Sequence, residues 1–177
     1  MEETLKLRRH FVGIIRLEQG TVDITDPCYS KAVWCRRTEK VTPGIYNCYA
    51  YIGEEPDWGR RVWINQIVIA DGDEADYAEA LVSEDETWEE IGKIGVDAGM
   101  AGFFQNKPDF DDDDWDEFCS WICDKSISHN PENIEDSFLK SFESGDGFWT
   151  HSGCGDGCYG VYAIKKDDKI VALEIRF

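Results

Sequence analysis

The clearest hairpin pattern in the chain lies at residues 159–177, which read YGVYAIKKDDKIVALEIRF. In its second half, apolar residues at positions 171, 173, 175 and 177 alternate with Ala172, Glu174 and Arg176, and two residues is the repeat of a β-strand. The polar run 165–169 separates the two strand candidates and has the composition of a turn. The pattern therefore predicts an antiparallel hairpin packed into a sheet.

Further strand candidates precede this hairpin. Residues 10–17 and 21–26 flank the short link Glu18-Gln19-Gly20 and predict a second hairpin, which ends at Asp26-Pro27 because proline offers no N–H to a sheet. Residues 44–52 and 61–70 are rich in β-branched and aromatic side chains, with a Gly- and Pro-containing turn between them. Residues 93–104 read as strand or turn interrupted by glycines.

Three segments carry helix signals. In residues 111–125, Trp115, Phe118, Cys119 and Ile122 are spaced so that a helix gathers them into one stripe, with Asp111–Asp114 at its N-terminal end. Parts of residues 71–90 and of residues 131–141 are weaker helix candidates. We therefore expect a single α+β domain over residues 1–177: a β-rich antiparallel sheet or small β-sandwich with one or two helices.

The net charge of −19 is distributed very unevenly along the chain. Residues 1–70 carry +1, residues 71–150 carry −20, and residues 151–177 carry 0. Such a concentrated charge favours binding to a cationic partner and opposes binding to nucleic acid or an anionic membrane. The alternative is a solvated acidic face. The candidate partner-binding residues are Asp71, Asp73, Glu84, Asp85, Glu86, Glu89, Glu90, Asp111, Asp112, Asp113 and Asp114.

The seven cysteines, at positions 28, 35, 48, 119, 123, 154 and 158, are an odd number without a secretory signal pattern. They predict reduced thiols in a cytoplasmic protein. Cys119, Cys123, His151, Cys154 and Cys158 leave a structural zinc site open, although they lack the two-residue knuckle spacing. The acidic runs that begin at Asp71 and Asp109 both lack the glutamate expected at the twelfth position of a calcium loop. We expect no metal and no cofactor.

Catalytic and nucleic-acid signatures are weak. A Cys-His nucleophile drawn from Cys154 or Cys158 with His151 or His129 has no sequence feature that orients it. The glycine-rich run 153–160 lacks the Lys-Ser/Thr of a phosphate loop. The doublets Arg8-Arg9, Arg36-Arg37 and Arg60-Arg61 are isolated from one another in sequence, so no basic footprint for DNA or RNA is evident. We therefore expect a binding protein and not an enzyme.

Three short motifs occur in order: Asp26-Pro27-Cys28-Tyr29, then GVDAGMAGFF at 95–104, then SGCGDGCY at 152–159. Together they resemble a family of uncharacterised bacterial and phage proteins. The resemblance implies a compact β-rich fold, and its phage members make host defence machinery such as a CRISPR effector one target.

The leading functional hypothesis is a protein-binding inhibitor or decoy. Its closely spaced carboxylates would mimic the phosphates of DNA and occupy a cationic, nucleic-acid-binding protein. The alternative is a metal-binding or small-ligand-binding domain, and an enzyme of unknown chemistry is the third possibility.

Overall fold

Eleven β-strands form two antiparallel sheets in the computed structural model, which describes residues 6–29, 34–57, 59–70, 87–105, 116–117, 120, 139–142 and 145–177. The strands are β1 (Arg8–Leu17), β2 (Thr21–Thr25), β3 (Arg37–Lys40), β4 (Gly44–Glu55), β5 (Gly59–Ile69), β6 (Glu89–Val96), β7 (Met100–Phe104), β8 (Leu139–Phe142), β9 (Gly145–His151), β10 (Gly157–Lys166) and β11 (Lys169–Arg176). The six-stranded sheet has the order β1-β4-β5-β11-β10-β6, and the five-stranded sheet has the order β3-β2-β7-β9-β8.

The predicted C-terminal hairpin is confirmed. Strands β10 and β11 pair antiparallel with Val161 opposite Ile175, and they turn through Asp167 and Asp168, which have φ angles of 51° and 61°. Aspartate tolerates this left-handed backbone better than most residues, and two such residues in succession match the twist of a hairpin. On its other side β11 pairs with β5, so the C-terminal strand lies in the interior of the sheet.

The main core lies between the two sheets. It combines Ile15, Ile67 and Leu173 of the six-stranded sheet with Phe103 and Phe148 of the five-stranded sheet, and all five are fully buried. A second cluster lies on the opposite face of the six-stranded sheet and contains Tyr49, Val68, Ile164, Val171 and Ala172. Consecutive residues of β11 therefore contribute to apolar clusters on both faces of their sheet.

The predicted hairpin between residues 10–17 and 21–26 is wrong. Strand β1 pairs with β4, whereas β2 pairs with β3 and β7, so the intervening turn carries the chain from one sheet to the other. Leu17 and Val22, on either side of that turn, are both buried in the core between the sheets. Burial of both flanks against one core favours the crossover, and a short polar turn is compatible with either arrangement.

The expected β-rich antiparallel arrangement is confirmed, but the α+β class is wrong for the described residues, whose elements are all strands. Residues 139–141, predicted as part of a helix, belong to β8, because pairing with β9 outweighs their local preference. Glu89 and Glu90 belong to β6. Within the predicted helix 111–125, Asp116, Glu117 and Ser120 have helical backbone, and the rest lies outside the described residues. No helix in the described part of the chain is long and apolar enough to cross a membrane.

The two ends of the sandwich differ in the chain segments that connect the strands there. At the end that we call the insertion end, β5 finishes at Ile69 and β6 begins at Glu89, while β7 finishes at Phe104 and β8 begins at Leu139. In the six-stranded sheet, Val68 lies opposite Ala172 and Ala163 lies opposite Glu89, so β5 ends and β6 begins at the same end of that sheet. In the five-stranded sheet, Phe148 lies between Phe103 and Leu139, so β7 ends and β8 begins at the same end. A hydrogen bond of 3.3 Å from the Gln19 N–H to Oε1 of Gln105 links the two sheets there.

Candidate functional site

The three sequence motifs converge at the opposite end of the sandwich, which we call the motif end. Asp26 follows β2, residues 97–99 connect β6 to β7, and residues 152–156 connect β9 to β10. Strand β7 pairs with both β2 and β9, and β6 pairs with β10. The pairing of these strands therefore brings the three motifs together, although the first and last motifs are more than 120 residues apart in the chain.

The Asp26 carboxylate holds this end together. Its Oδ1 accepts a hydrogen bond from the Cys28 N–H at 2.8 Å, and its Oδ2 accepts from the N–H groups of Asp97 at 2.9 Å and Ala98 at 2.7 Å. The side chain is fully buried. Burial raises the pKa of Asp26 above its ordinary value, and the three N–H groups oppose that shift because they stabilise the charged form.

A tyrosine and a cysteine extend the cluster. The Gly95 N–H donates to the Cys35 carbonyl oxygen at 2.8 Å, which fixes the segment before β3 against β6. The Tyr29 hydroxyl is hydrogen-bonded to the Cys35 thiol, and burial together with this thiol raises the tyrosine pKa. Nearby carboxylates at Asp26 and Asp97 act in the same direction because they disfavour a phenolate. Tyr29 therefore stays neutral and serves as a hydrogen-bonding group.

The loop between β9 and β10 is held by backbone contacts. The Ser152 N–H donates to the Gly99 carbonyl oxygen at 2.9 Å, and the Tyr159 hydroxyl donates to the Gly155 carbonyl oxygen at 2.7 Å. Gly153 has a φ of 60°, and a Cβ at that position would overlap the Val62 carbonyl oxygen. The Arg61 guanidinium donates to the Gly153 carbonyl oxygen. These contacts lock the last motif onto strand β5.

Within the three motifs, Asp97, Asp156, Cys154 and Cys158 are exposed. The described cysteines, at positions 28, 35, 48, 154 and 158, are free thiols. Within the described ranges, no group of three or more His, Cys, Asp or Glu side chains is arranged to hold a metal ion. Cys119, Cys123 and His129 lie outside those ranges. The motifs join the two sheets through buried and backbone hydrogen bonds.

Two of the predicted partner-binding carboxylates are described. Glu89 and Glu90 are exposed at the start of β6, which is an edge strand of the six-stranded sheet. The Glu89 carboxylate lies 3.3 Å from the Lys165 ammonium group in a solvent-exposed ion pair. The remaining nine predicted residues lie outside the described residues: Asp71, Asp73, Glu84, Asp85, Glu86, Asp111, Asp112, Asp113 and Asp114.

The described residues carry almost none of the chain's net charge. Their formal charges sum to −2, so −17 of the net −19 comes from residues outside the described ranges. Most of that charge falls in two stretches of chain, one between β5 and β6 and one between β7 and β8. Both stretches leave and rejoin the sandwich at the insertion end. A nearly neutral scaffold therefore anchors both acidic insertions at one end.

The structure also brings together basic residues that are far apart in sequence. Arg8 on β1 and Arg60 on β5 line one cleft, together with Lys6 and His10. The available signal in the sequence was the spacing of Lys6, Arg8 and His10 by two residues, which places all three on one face of a strand. The contribution of Arg60 depends on the pairing of β4 with β5, which that spacing does not encode.

Comparison with known proteins identifies a family but no described activity. The family model "Protein of unknown function (DUF4241)" matches residues 15–175, a span that includes all three motifs. No curated protein and no solved structure matches the chain.

Proposed function

We propose that this chain, which belongs to the DUF4241 family, is a protein-binding inhibitor or decoy whose acidic insertions occupy the cationic surface of a nucleic-acid-binding protein. The observation that carries the proposal is the separation of charge from scaffold. The described residues outside the two acidic stretches have a net formal charge of 0, whereas the stretches themselves, residues 70–88 and 105–138, carry −17 of the net −19 and both attach at one end of the sandwich. Selection for solubility alone would favour acidic residues dispersed over the whole surface.

The density of the carboxylates supports a nucleic-acid-binding partner. Residues 71–86 contain eight Asp and Glu and no Lys or Arg, and residues 109–117 contain seven carboxylates without a basic residue. Duplex DNA carries one negative charge per about 1.7 Å of axis, and a protein surface that binds DNA presents Lys and Arg at a comparable density. Closely spaced carboxylates therefore compete for the same cations and accelerate encounter through long-range attraction.

The described strands support this role by providing a fixed base. The two insertions begin and end on strands of one sandwich whose core side chains are fully buried, so their four attachment points keep constant separations. Exposed Glu89 and Glu90 continue the acidic surface onto the edge of the sheet. The proposal includes a cytoplasmic location, in keeping with the free thiols, and a bacterial or phage origin, with a CRISPR effector as one target.

The experiment compares three baits in a pull-down from host lysate, with bound proteins identified by mass spectrometry. The first bait is the wild type. In the second, seven insertion carboxylates are converted to amides: Glu84, Asp85, Glu86, Asp111, Asp112, Asp113 and Asp114. In the third, seven exposed carboxylates of the sandwich are converted in the same way: Glu18, Glu54, Asp57, Asp97, Asp156, Asp167 and Asp168. Both variants then have a net charge of −12.

We expect the wild type and the sandwich variant to capture the same cationic protein and the insertion variant to lose it. Binding should weaken as salt is raised, because the Debye length falls from about 10 Å at 0.1 M to about 3 Å at 1 M. Duplex DNA should displace the captured protein. Retention by the insertion variant, or equal losses from both variants, would show that the insertions are not the binding surface.

A further inference from the structure

A cleft of about 340 Å³ opens near the motif end of the six-stranded sheet, at the other end from the points where the acidic insertions attach. Its described lining residues are Lys6, Arg8, His10, Ile52, Glu54 and Arg60. Three of them are permanently cationic, one is a histidine and one is a carboxylate, so the formal charge is +2 before His10 contributes. This is a concentrated positive site on a chain whose net charge is −19.

Strand geometry explains why the basic side chains share one face. Alternate residues of an extended chain point to the same side, which places Lys6, two residues before β1, in a row with Arg8 and His10 of β1. Arg8 lies opposite Ile52 on β4, and Glu54 lies opposite Arg60 on β5. The cleft is therefore a cross-strand surface of three neighbouring strands.

A close contact on the other face fixes this arrangement. Gly53 has no side chain, and the Cβ of any other residue there would lie 2.9 Å from Cδ2 of Leu7 and 3.0 Å from the Trp63 ring. Leu7 thus packs closely over Gly53 on the face opposite the cleft. Because successive side chains of a strand alternate between faces, this anchor directs Lys6 and Arg8 into the cleft.

Among the described residues, several arginines elsewhere on the sandwich are neutralised by ion pairs, whereas the cations of the cleft are not. Arg36 pairs with Asp23 at 2.9 Å, and Arg176 pairs with Glu174 at 2.9 Å. In contrast, no ion pair within the described part of the chain involves the side chains of Lys6, Arg8 or Arg60. Nε2 of His10 is buried and has no hydrogen-bond partner there. Unsatisfied buried polar atoms are uncommon, and this one belongs to a residue that lines the cleft.

Negative charge at the points where the acidic insertions attach to the sandwich does not neutralise the positive charge of the cleft. Strand β5 runs from the cleft at Arg60 to the insertion end at Ile69, a distance of about 30 Å at roughly 3.3 Å per residue. The Debye length at physiological ionic strength is about 8 Å. Charge at the far end of the strand is therefore strongly screened at the cleft.

We propose that this cleft binds a small ligand through a diphosphate group. Arg8 and Arg60 supply planar guanidinium groups that bind phosphate oxygens in pairs, and Lys6 adds a point charge. The volume lies within the range of small-molecule sites, and apolar Ile52 forms part of the wall. The proposal is independent of the acidic decoy function. Lys6, Arg8 and His10 also precede the family-matched residues 15–175, so this site need not be shared by the family.

Isothermal titration calorimetry of the full chain tests the proposal, with inorganic pyrophosphate, ADP and sulfate as separate probes. The site variant is Arg8→Gln with Arg60→Gln. The matched control is Lys40→Gln with Lys93→Gln, which removes the same charge from two exposed positions on other strands. The third variant, Glu54→Gln, removes the only carboxylate among the described lining residues.

We expect pyrophosphate to bind the wild type and the Lys40/Lys93 control alike. The Arg8/Arg60 variant should bind at least about tenfold more weakly, because each charge-assisted hydrogen bond contributes enough for such a change. Glu54→Gln should bind more tightly, and sulfate should bind more weakly than pyrophosphate. Tighter binding of ADP would identify a nucleotide as the source of the diphosphate, and equal binding would identify the inorganic ion. No binding to the wild type, or equal losses from the site and control variants, would overturn the proposal.

Discussion

Oδ2 of Asp26 accepts a hydrogen bond of 2.9 Å from the backbone N–H of Asp97, which lies 71 residues further along the chain. Asp26 follows a strand of the five-stranded sheet, and Asp97 follows the edge strand of the six-stranded sheet. One carboxylate thus joins the two sheets where two of the sequence motifs meet. Because the Asp26 side chain is fully buried, water cannot replace this hydrogen bond without opening the sandwich.

Replacing Asp26 with alanine should lower the free energy of unfolding by about 3 kcal/mol. Three backbone N–H groups, those of Cys28, Asp97 and Ala98, would lose their acceptor inside the protein. Urea denaturation followed by tryptophan fluorescence measures the change. The control is Asp57→Ala, an exposed position where we expect a change within about 0.5 kcal/mol. Equal small changes in both variants would show that Asp26 does not join the sheets energetically.

The contribution of Asp26 to stability should fall as pH rises. Burial raises its folded-state pKa above the ordinary value of 3.8, so the folded protein binds the proton more tightly than the unfolded chain does. Its contribution is therefore complete below pH 3.8 and declines as pH rises through the folded-state pKa. The measurement is the difference in unfolding free energy between wild type and Asp26→Ala from about pH 3 to about pH 7. A difference that grows with pH would mean that the three N–H groups outweigh burial.

Gly153→Ala should be strongly destabilising, and Gly155→Ala should be much milder. Both glycines have positive φ angles, 60° and 84°, where an alanine costs about 1 to 2 kcal/mol. Only at Gly153 would the new methyl group overlap the Val62 carbonyl oxygen, since nothing lies within 4 Å of the corresponding position at Gly155. We expect the loss at Gly153 to exceed that at Gly155 by about 2 kcal/mol or more. Parallel thermal melts decide the matter, and equal losses would contradict the close approach.

Truncation after Lys169 should abolish cooperative unfolding. It removes most of β11, which pairs with β5 on one side and β10 on the other, and which contains the fully buried Leu173 and Ile175. Each such side chain contributes about 1.5 to 3 kcal/mol when buried, against a total stability of about 5 to 15 kcal/mol. Circular dichroism during heating gives the readout. Deleting Phe177 alone is the control, and this shorter deletion should leave a cooperative transition at a lower temperature.

A truncated chain that melts like the full one would contradict the interior position of β11. Phe177 is only partly buried, packs edge-on against Tyr159 at a ring-centre distance of 5.1 Å, and donates one backbone hydrogen bond to Trp63. Its removal therefore costs packing at the sheet end without breaking strand pairing.

Local features of the sequence were sufficient for the strands with regular alternation or tight turns. Hairpin β10–β11 follows from residues that are neighbours in the chain, since the turn and both strands are contiguous in sequence. The strand candidates 44–52 and 61–70 correspond to β4 and β5, but both strands extend into the turn predicted between them. The same reasoning failed at residues 18–20, where two apolar flanks serve one core but belong to different sheets. It also failed at residues 139–141, predicted as part of a helix, which form an edge strand because they pair with β9.

The sequence by itself determined the periodicity of the strands, the partition of charge along the chain, and the presence of three ordered motifs. Those properties depend on neighbouring residues, and the chain carries them whether or not it is folded. Only the tertiary structure decided that β1 pairs with β4, that Asp26 meets Asp97, and that Arg8 and Arg60 share a cleft. An alternating pattern specifies which face of a strand is buried but not which strand lies beside it, because that choice depends on how the whole core packs.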